Sequence, residues 1–243
     1  MRIMIMLVVL ATAVAQSGCE ESCTSSGTNP GKSPYVIAID PANFVSGQNI
    51  TGNSYWPLNV GEFAVFKGLD GKDSIRVEIR VTDSIKVIQG VDCRVVRDQG
   101  FLNGELEEDT YDWYAQDVDG NVWYFGEFSE EIENGVPVST AGSWEAGVDG
   151  AYPGIVMFAN PVVGTWYRQE FLEGEAEDVA QILSVGETYT VPYGTFTNCL
   201  RTLEYSPLEP KVQENKIYAP GVGFIRAEKT KGGSEYEELV SID

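Results

Sequence analysis

TYDWYAQDVDGNVWYFGEF, residues Thr110 to Phe128, reads as two aromatic strands joined by a tight turn. Asp119-Gly120 suits a two-residue hairpin loop, because a type I′ turn needs positive φ at both central positions and these residues tolerate it. With that loop, or with the four-residue loop Asp117 to Gly120, the same side chains share a face. Tyr111, Trp113 and Ala115 then lie with Val122, Tyr124 and Phe128, while Asp112, Tyr114 and Gln116 lie with Asn121, Trp123, Phe125 and Glu127. Both faces of the hairpin carry aromatic rings.

Upstream, SIRVEIRVT (Ser74 to Thr82) alternates without a fault, with Ile75, Val77, Ile79 and Val81 on one side and Arg76, Glu78 and Arg80 on the other. That is the pattern of a half-buried antiparallel strand. SIKVI leads through Gln89-Gly90 into VDCRVVRDQGF, and Asn103-Gly104 turns the chain back into the aromatic hairpin. Val95 and Val96 are adjacent, so alternation fails there and a bulge is expected near Asp98 to Gly100. Downstream, Glu133-Asn134-Gly135 turns into VPVSTAGSW. Residues 145–161, EAGVDGAYPGIVMFANP, then break the meander with Gly and Pro yet carry Tyr152, Met157 and Phe158. An apolar loop of this kind either plugs one end of a core or closes over a ligand, and packing is the commoner use.

The remainder restarts the pattern. NPVVGTWYRQ resembles WPLNVGEFAVF, GTFTNCLRTLEY resembles GVDCRVVRD, and KIYAPGVGFIRAEK resembles DWYAQDVDGNVWYFGE, at nearly constant offsets. The expectation is one all-β domain over residues 35–243, a large curved antiparallel sheet or barrel with tandem pseudo-repeats near 56–144 and 160–243. Helical periodicity is scarce; the best candidate, Glu175 to Ser184, reads equally as a strand.

The first residues, MRIMIMLVVLATAVAQSGC, have one basic residue, a short apolar run and then small residues, the layout of a secretory signal peptide over residues 1–18. Two cleavage readings compete: Ala13-Val14-Ala15 fits ordinary signal peptidase, and Ser17-Gly18-Cys19 fits a bacterial lipoprotein box with lipid attachment at Cys19. The polar run that follows, residues 19–34, suits a flexible tether and favours the lipoprotein reading. An extracytoplasmic place, in the bacterial cell envelope or secreted, follows from either.

The net charge of -21 disfavours nucleic acid as a partner, because each phosphate contact would work against the protein's own field. With no histidine, the usual nucleophile–histidine triads and zinc sites are excluded. No cofactor is expected, and the chain leans away from being an enzyme. Of its four cysteines, Cys93 and Cys199 fall in strand-like segments and are either bridged to each other or buried separately. Asp117, Asp119 and Asn121 resemble the front of a calcium loop, but the places for the turn Gly and the bidentate Glu hold Val122 and Phe128, so a turn is read there and no metal. Acidic runs such as Glu105 to Asp109 are read as solvated loops.

The strongest binding constellation is Tyr114, Trp123 and Phe125 with Gln116 beside them, an apolar wall with a few polar groups that serves either as a small-molecule pocket or as packing. Tyr152, Met157, Phe158 and Arg168 complete the candidate ligand-binding set, Arg168 because aromatic neighbours in TWYRQEF can hold a guanidinium towards an anionic head group.

The entry PLNVGEFAVF, the aromatic hairpin, GTFTNCL and the ending YAPGVGFIR together resemble a group of uncharacterised secreted or lipid-anchored bacterial β proteins. Their broader likeness is to the half-barrel of periplasmic lipoprotein carriers (LolA-like). That resemblance implies an apolar concavity holding acyl chains, although such carriers commonly plug it with helices and this chain offers little helix. The functional expectation is a lipid-like, apolar or amphipathic small ligand in the concavity, with the membrane reached through an N-terminal lipid. The alternatives are an envelope interaction protein with a packed core and, less favoured, a carboxylate-dependent hydrolase.

Overall fold

The computed structural model describes residues 27–31 and 33–243; the expected signal peptide, Cys19 and Cys23 lie outside the described residues. Among the described residues there is no α-helix, only single 3-10 turns at Pro41–Asn43 and Gly47–Asn49. A short hairpin of β1 (Gly52–Asn53) and β2 (Trp56–Pro57) precedes the main sheet. A meander follows through β3 (Phe63–Asp70), β4 (Asp73–Ile88), β5 (Val91–Leu102), β6 (Glu105–Gln116) and β7 (Val122–Glu133). Two short strands, β8 (Val136–Ser139) and β9 (Trp144–Glu145), lie on β7, and β10 (Tyr152–Met157) returns to pair with it. After β11 (Trp166–Arg168) and β12 (Glu170–Phe171), a second meander runs through β13 (Val179–Val191), β14 (Gly194–Tyr205), β15 (Gln213–Ala219), β16 (Gly223–Lys231) and β17 (Tyr236–Ile242). The pairings are antiparallel, and β17 pairs with β3, so the two meanders form one 15-stranded sheet.

The large antiparallel sheet expected from the alternation is therefore present, as an open sheet and not a closed barrel. Its two ends meet on one segment. β11 pairs with β13 at one end of the sheet and β12 pairs with β10 at the other, with Gln169 alone between them. A Cβ on Gly154 would stand 2.5 Å from the Arg168 carbonyl oxygen, so glycine lets β10 run close to this segment. The two meanders share their strand order, and Gly61 and Gly164 donate alike to Val81 and Ile182 in the following strands. Their extents differ, with 12 residues in β6 against 7 in β15, and a duplication is not shown.

Two-residue loops close the β4–β5, β5–β6 and β7–β8 hairpins. Gln89-Gly90, Asn103-Gly104 and Asn134-Gly135 all have positive φ at both positions, which matches the right-handed twist of the flanking strands. The bulge expected near Asp98 to Gly100 lies between Gly100 and Phe101. Glu175 to Ser184 resolves as a turn leading into β13.

The central hairpin departs from its expected register. Gln116 pairs with Val122, so the loop is five residues, Asp117 to Asn121, and not two or four. An odd loop flips every side chain near the turn to the opposite face. Tyr114 consequently pairs with Tyr124, not with the face of Trp123 and Phe125, and a bulge restores the expected partners at Asp112 and Glu127. The cause is Asp117, whose carboxylate accepts from the backbone N–H of Asn121, from Asn121 Nδ2 and from Trp123 Nε1, each at 2.8 Å. These bonds make Asp117 a loop residue and tie up both of its oxygens.

The inner face of the sheet near this hairpin carries Thr110, Asp112, Tyr114, Tyr124, Glu127 and Ser129, related by direct pairing. The opposite face is covered by the chain before β1, where the Phe44 ring stands edge-on to Trp123 at 5.8 Å and to Phe125 at 5.5 Å. Residues 145–161 serve packing: their centre is β10, whose Ile155, Val156 and Met157 are buried in the core, and none of the segment lines either of the inner-face cavities. Of the two readings for Cys93 and Cys199, separate burial is found: both are free thiols, and they sit in separate apolar clusters.

Candidate ligand cavity

Two cavities lie on the inner face and meet at Lys216. The first, about 110 Å³, is lined by Trp56, Phe66, Tyr114, Tyr218 and Phe224 with apolar residues of β4. Trp56 is set there by the β1–β2 hairpin, with its ring 5.3 Å from Tyr114 and 5.8 Å from Tyr218. Asn53 fixes that hairpin by accepting the backbone N–H of both Tyr55 and Trp56. The second cavity is larger, about 300 Å³, and its lining has eleven carboxylate residues against one lysine. Exposed Glu133, Ala141 and Gly142 stand at its rim, and buried Glu204, Glu214 and Lys216 at its floor.

The floor follows from register. Thr202 pairs with Lys216, and Glu204 with Glu214, which places all four on one face. Lys216 Nζ lies 3.0 Å from Glu204 Oε2 and 3.4 Å from Glu214 Oε1. Thr202 Oγ1 and the Tyr218 hydroxyl donate to Glu204 Oε1 at 2.7 and 3.0 Å. Burial pushes the Glu204 carboxyl up, but the Lys216 ammonium and the Thr202 hydroxyl outweigh it and hold the group below the ordinary carboxylate range. Burial likewise opposes the charge of Lys216, and the two glutamates overturn that and keep it protonated.

The other inner carboxylates have no such cation. Burial raises Asp112 to about 7, although the Tyr124 hydroxyl donates to its Oδ1 at 2.7 Å. Burial, reinforced by the Asp178 charge, raises Glu170 to about 8, and its Oε2 accepts from Trp144 Nε1 at 3.1 Å. Burial also raises Glu237 to about 7, and it holds Asp98 and Glu127, both near Asp112, well above the usual range. Among the described residues no three carboxylates or thiols are arranged to hold a metal ion.

Of the residues singled out in the sequence, only Tyr114 lines either cavity. Trp123 and Phe125 are packed under Phe44, and the Gln116 amide oxygen accepts from the backbone N–H of Thr51 and Gly52. Met157 is buried, Phe158 packs on Tyr167, and Tyr152 lies near Tyr35 and Phe171. Arg168 is buried over Phe171 and donates to the carbonyls of Gly31, Ser33 and Glu177, so it fastens the segment before β1. Lys216, Glu204, Tyr218 and Trp56 were missed. The signal for them was a lone lysine in ENKIYA, flanked by residues that alternate inwards.

No family model matches the chain, and no curated protein matches it. Two solved structures are similar to it. One, a protein of Bacteroides fragilis described as exported and of YmcC-like fold, is 17% identical over 79% of this chain and 99% of its own, with a TM-score of 0.46. The other, a protein of Parabacteroides distasonis described as a lipoprotein, is 13% identical over 79% of this chain and 99% of its own, with a TM-score of 0.41. Neither is described as a lipoprotein carrier, and the LolA-like resemblance finds no match here.

Proposed function

We propose that this chain is an exported protein, lipid-anchored at Cys19, that binds a small amphipathic molecule inside its curled sheet. The observation that carries the reading is the pair of cavities meeting at Lys216, one apolar and one polar. A site of this make-up suits a ligand with an apolar body and a polar end, held by shape at one side and by polar groups at the other. The signal-like start and lipoprotein box support export and anchoring.

The test is titration with a neutral twelve-carbon maltoside and with the same protein carrying Ala64→Phe, which fills the apolar cavity from its wall. Binding at one equivalent that Ala64→Phe abolishes, with unchanged circular dichroism, supports the reading. Absence of binding to the parent chain would overturn it and leave the packed interaction protein in its place. A second reading, a carboxylate-dependent hydrolase, has one observation in its favour: Asp112, raised to about 7, stands directly opposite Glu127. Cleavage of a glycoside substrate that is lost in Asp112→Asn would favour it.

A further inference from the structure

We propose that the polar end of the bound molecule is a cation, a primary amine on an apolar body, received by the inner carboxylates and the Tyr167 hydroxyl. The proposal rests on the ligand-binding reading above and names the class of head group.

Charge decides first between an anion and a cation. The larger cavity offers eleven carboxylate residues and one ammonium, and that ammonium is already shared between Glu204 and Glu214. A fatty acid or phosphate head would enter against the field of the lining and find its one cation engaged. An ammonium would enter with the field and meet acceptors. The smaller cavity has Glu62, Asp98, Asp112 and Glu237 against the same engaged Lys216 among its apolar and aromatic walls, and burial holds the last three acids protonated until an arriving cation favours their charged form. Tyr114, Tyr218 and Trp56 are among its walls, and aromatic rings also attract cations.

The second observation is independent of charge. Tyr167 is 8% exposed and its hydroxyl has no hydrogen-bond partner. Tyr167 pairs with Ala180, Ala180 with Glu204 and Glu204 with Glu214, so the phenol lies in one row with the floor of the cavity. Ala180 between them is small, and the phenol is close enough to Glu204 and Lys216 for their charges to act on it, although it lies beside the lining residues of the cavity and not among them. A buried hydroxyl without a partner is destabilising, because it has lost its bond to water and gained none in return. A ligand N–H pointing at its oxygen removes that cost. Buried carboxylates held protonated nearby add acceptors, since an arriving ammonium favours their charged form.

The experiment compares three twelve-carbon probes below their micellar concentrations: dodecylammonium, dodecyl sulfate and dodecyl maltoside, each titrated into the folded chain by calorimetry. Dodecylammonium is expected to bind at one equivalent about tenfold or more tighter than dodecyl sulfate, a difference of about 1.4 kcal/mol. Tyr167→Phe removes only the hydroxyl, so it should keep the fold, weaken dodecylammonium severalfold and leave dodecyl maltoside unchanged. Ala64→Phe keeps every surface charge and separates cavity binding from adsorption to an acidic surface, because only cavity binding is lost. Equal or tighter binding of dodecyl sulfate overturns the proposal, and so does a Tyr167→Phe variant with undiminished preference for the amine. If none of the three probes binds, the ligand-binding reading itself has failed.

Discussion

Asp112 of β6 and Glu127 of β7 stand directly opposite each other on the inner face of the sheet. Burial disfavours the charged form of both, and the Asp112 charge adds to it at Glu127, so the two carboxyls hold protons above the ordinary carboxylate range. Asp98 and Glu108 add negative charge around it, while the Tyr124 hydroxyl and, further off, Lys216 oppose it. With Glu170 and Glu237 raised as well, the folded chain binds protons that the unfolded chain releases. The stability they contribute is complete below the unfolded carboxylate range and is lost as pH rises through about 7 to 8. The thermal midpoint should therefore fall between about pH 5 and about pH 8, and Asp112→Asn should flatten that fall. A midpoint that rises over the same interval would contradict the assignment.

Lys216→Met leaves Glu204 and Glu214 buried without their cation. A loss of about 3–5 kcal/mol is expected in urea unfolding, the range for a buried pair with one partner removed. Adding Glu204→Gln should restore part of it, because the uncompensated charge is then gone. Simple additivity of the two changes would show that the groups do not interact.

Gly154→Ala tests the place where the two ends of the sheet meet. The new methyl would stand 2.4 Å from the backbone carbon of Gln169, and neither strand can yield without breaking its pairing. The expected cost is about 1–3 kcal/mol, as for overpacking elsewhere, read from the denaturation midpoint.

Arg168→Met should free the segment before β1, since its guanidinium donates to the carbonyls of both Gly31 and Ser33. The measurable sign is faster proteolysis between residues 27 and 35, with a stability loss of about 2 kcal/mol for the charged hydrogen bonds. Unchanged cleavage would mean that the ring contacts of Tyr35 with Tyr152 and Phe171 suffice to hold the segment.

Both cysteines should resist thiol reagents in the native state and react fully only on unfolding. Cys93 and Cys199 have no exposed surface, and burial raises both thiols. Mass spectrometry without reduction that found them bridged would refute their placement in separate clusters.

The strands were legible in the sequence because period two is a local signal. Ile75, Val77, Ile79 and Val81 face inwards as their alternation requires, and the Asn-Gly turns fall where their backbone preference puts them. The side chains that face the cavities were not legible, because their placement hung on the parity of one loop. Nothing in DVDGN announces that Asp117 accepts three hydrogen bonds, one of them from the indole of Trp123, and this lengthens the loop to five residues. The strand inside residues 145–161 was hidden for a related reason. Their Gly and Pro mark a break in alternation, and only the neighbouring strand shows that the break is a place of close backbone approach. The buried lysine had only a faint local signal, its place in ENKIYA, since the carboxylate that matters most to it comes from β14, a different strand.

The pairing of β17 with β3 also sets an order of events. Residues 64–69 find their outer neighbour only in residues 236–242. Closing a loop of that span costs entropy before any ladder bond repays it, and folds dominated by such distant contacts assemble slowly, in milliseconds to seconds. The first meander can form early, but one flank of β3 stays bare until the last strand arrives. A chain shortened by those last residues would expose the edge of β3 and tend to associate through it, so shortened forms should elute as oligomers.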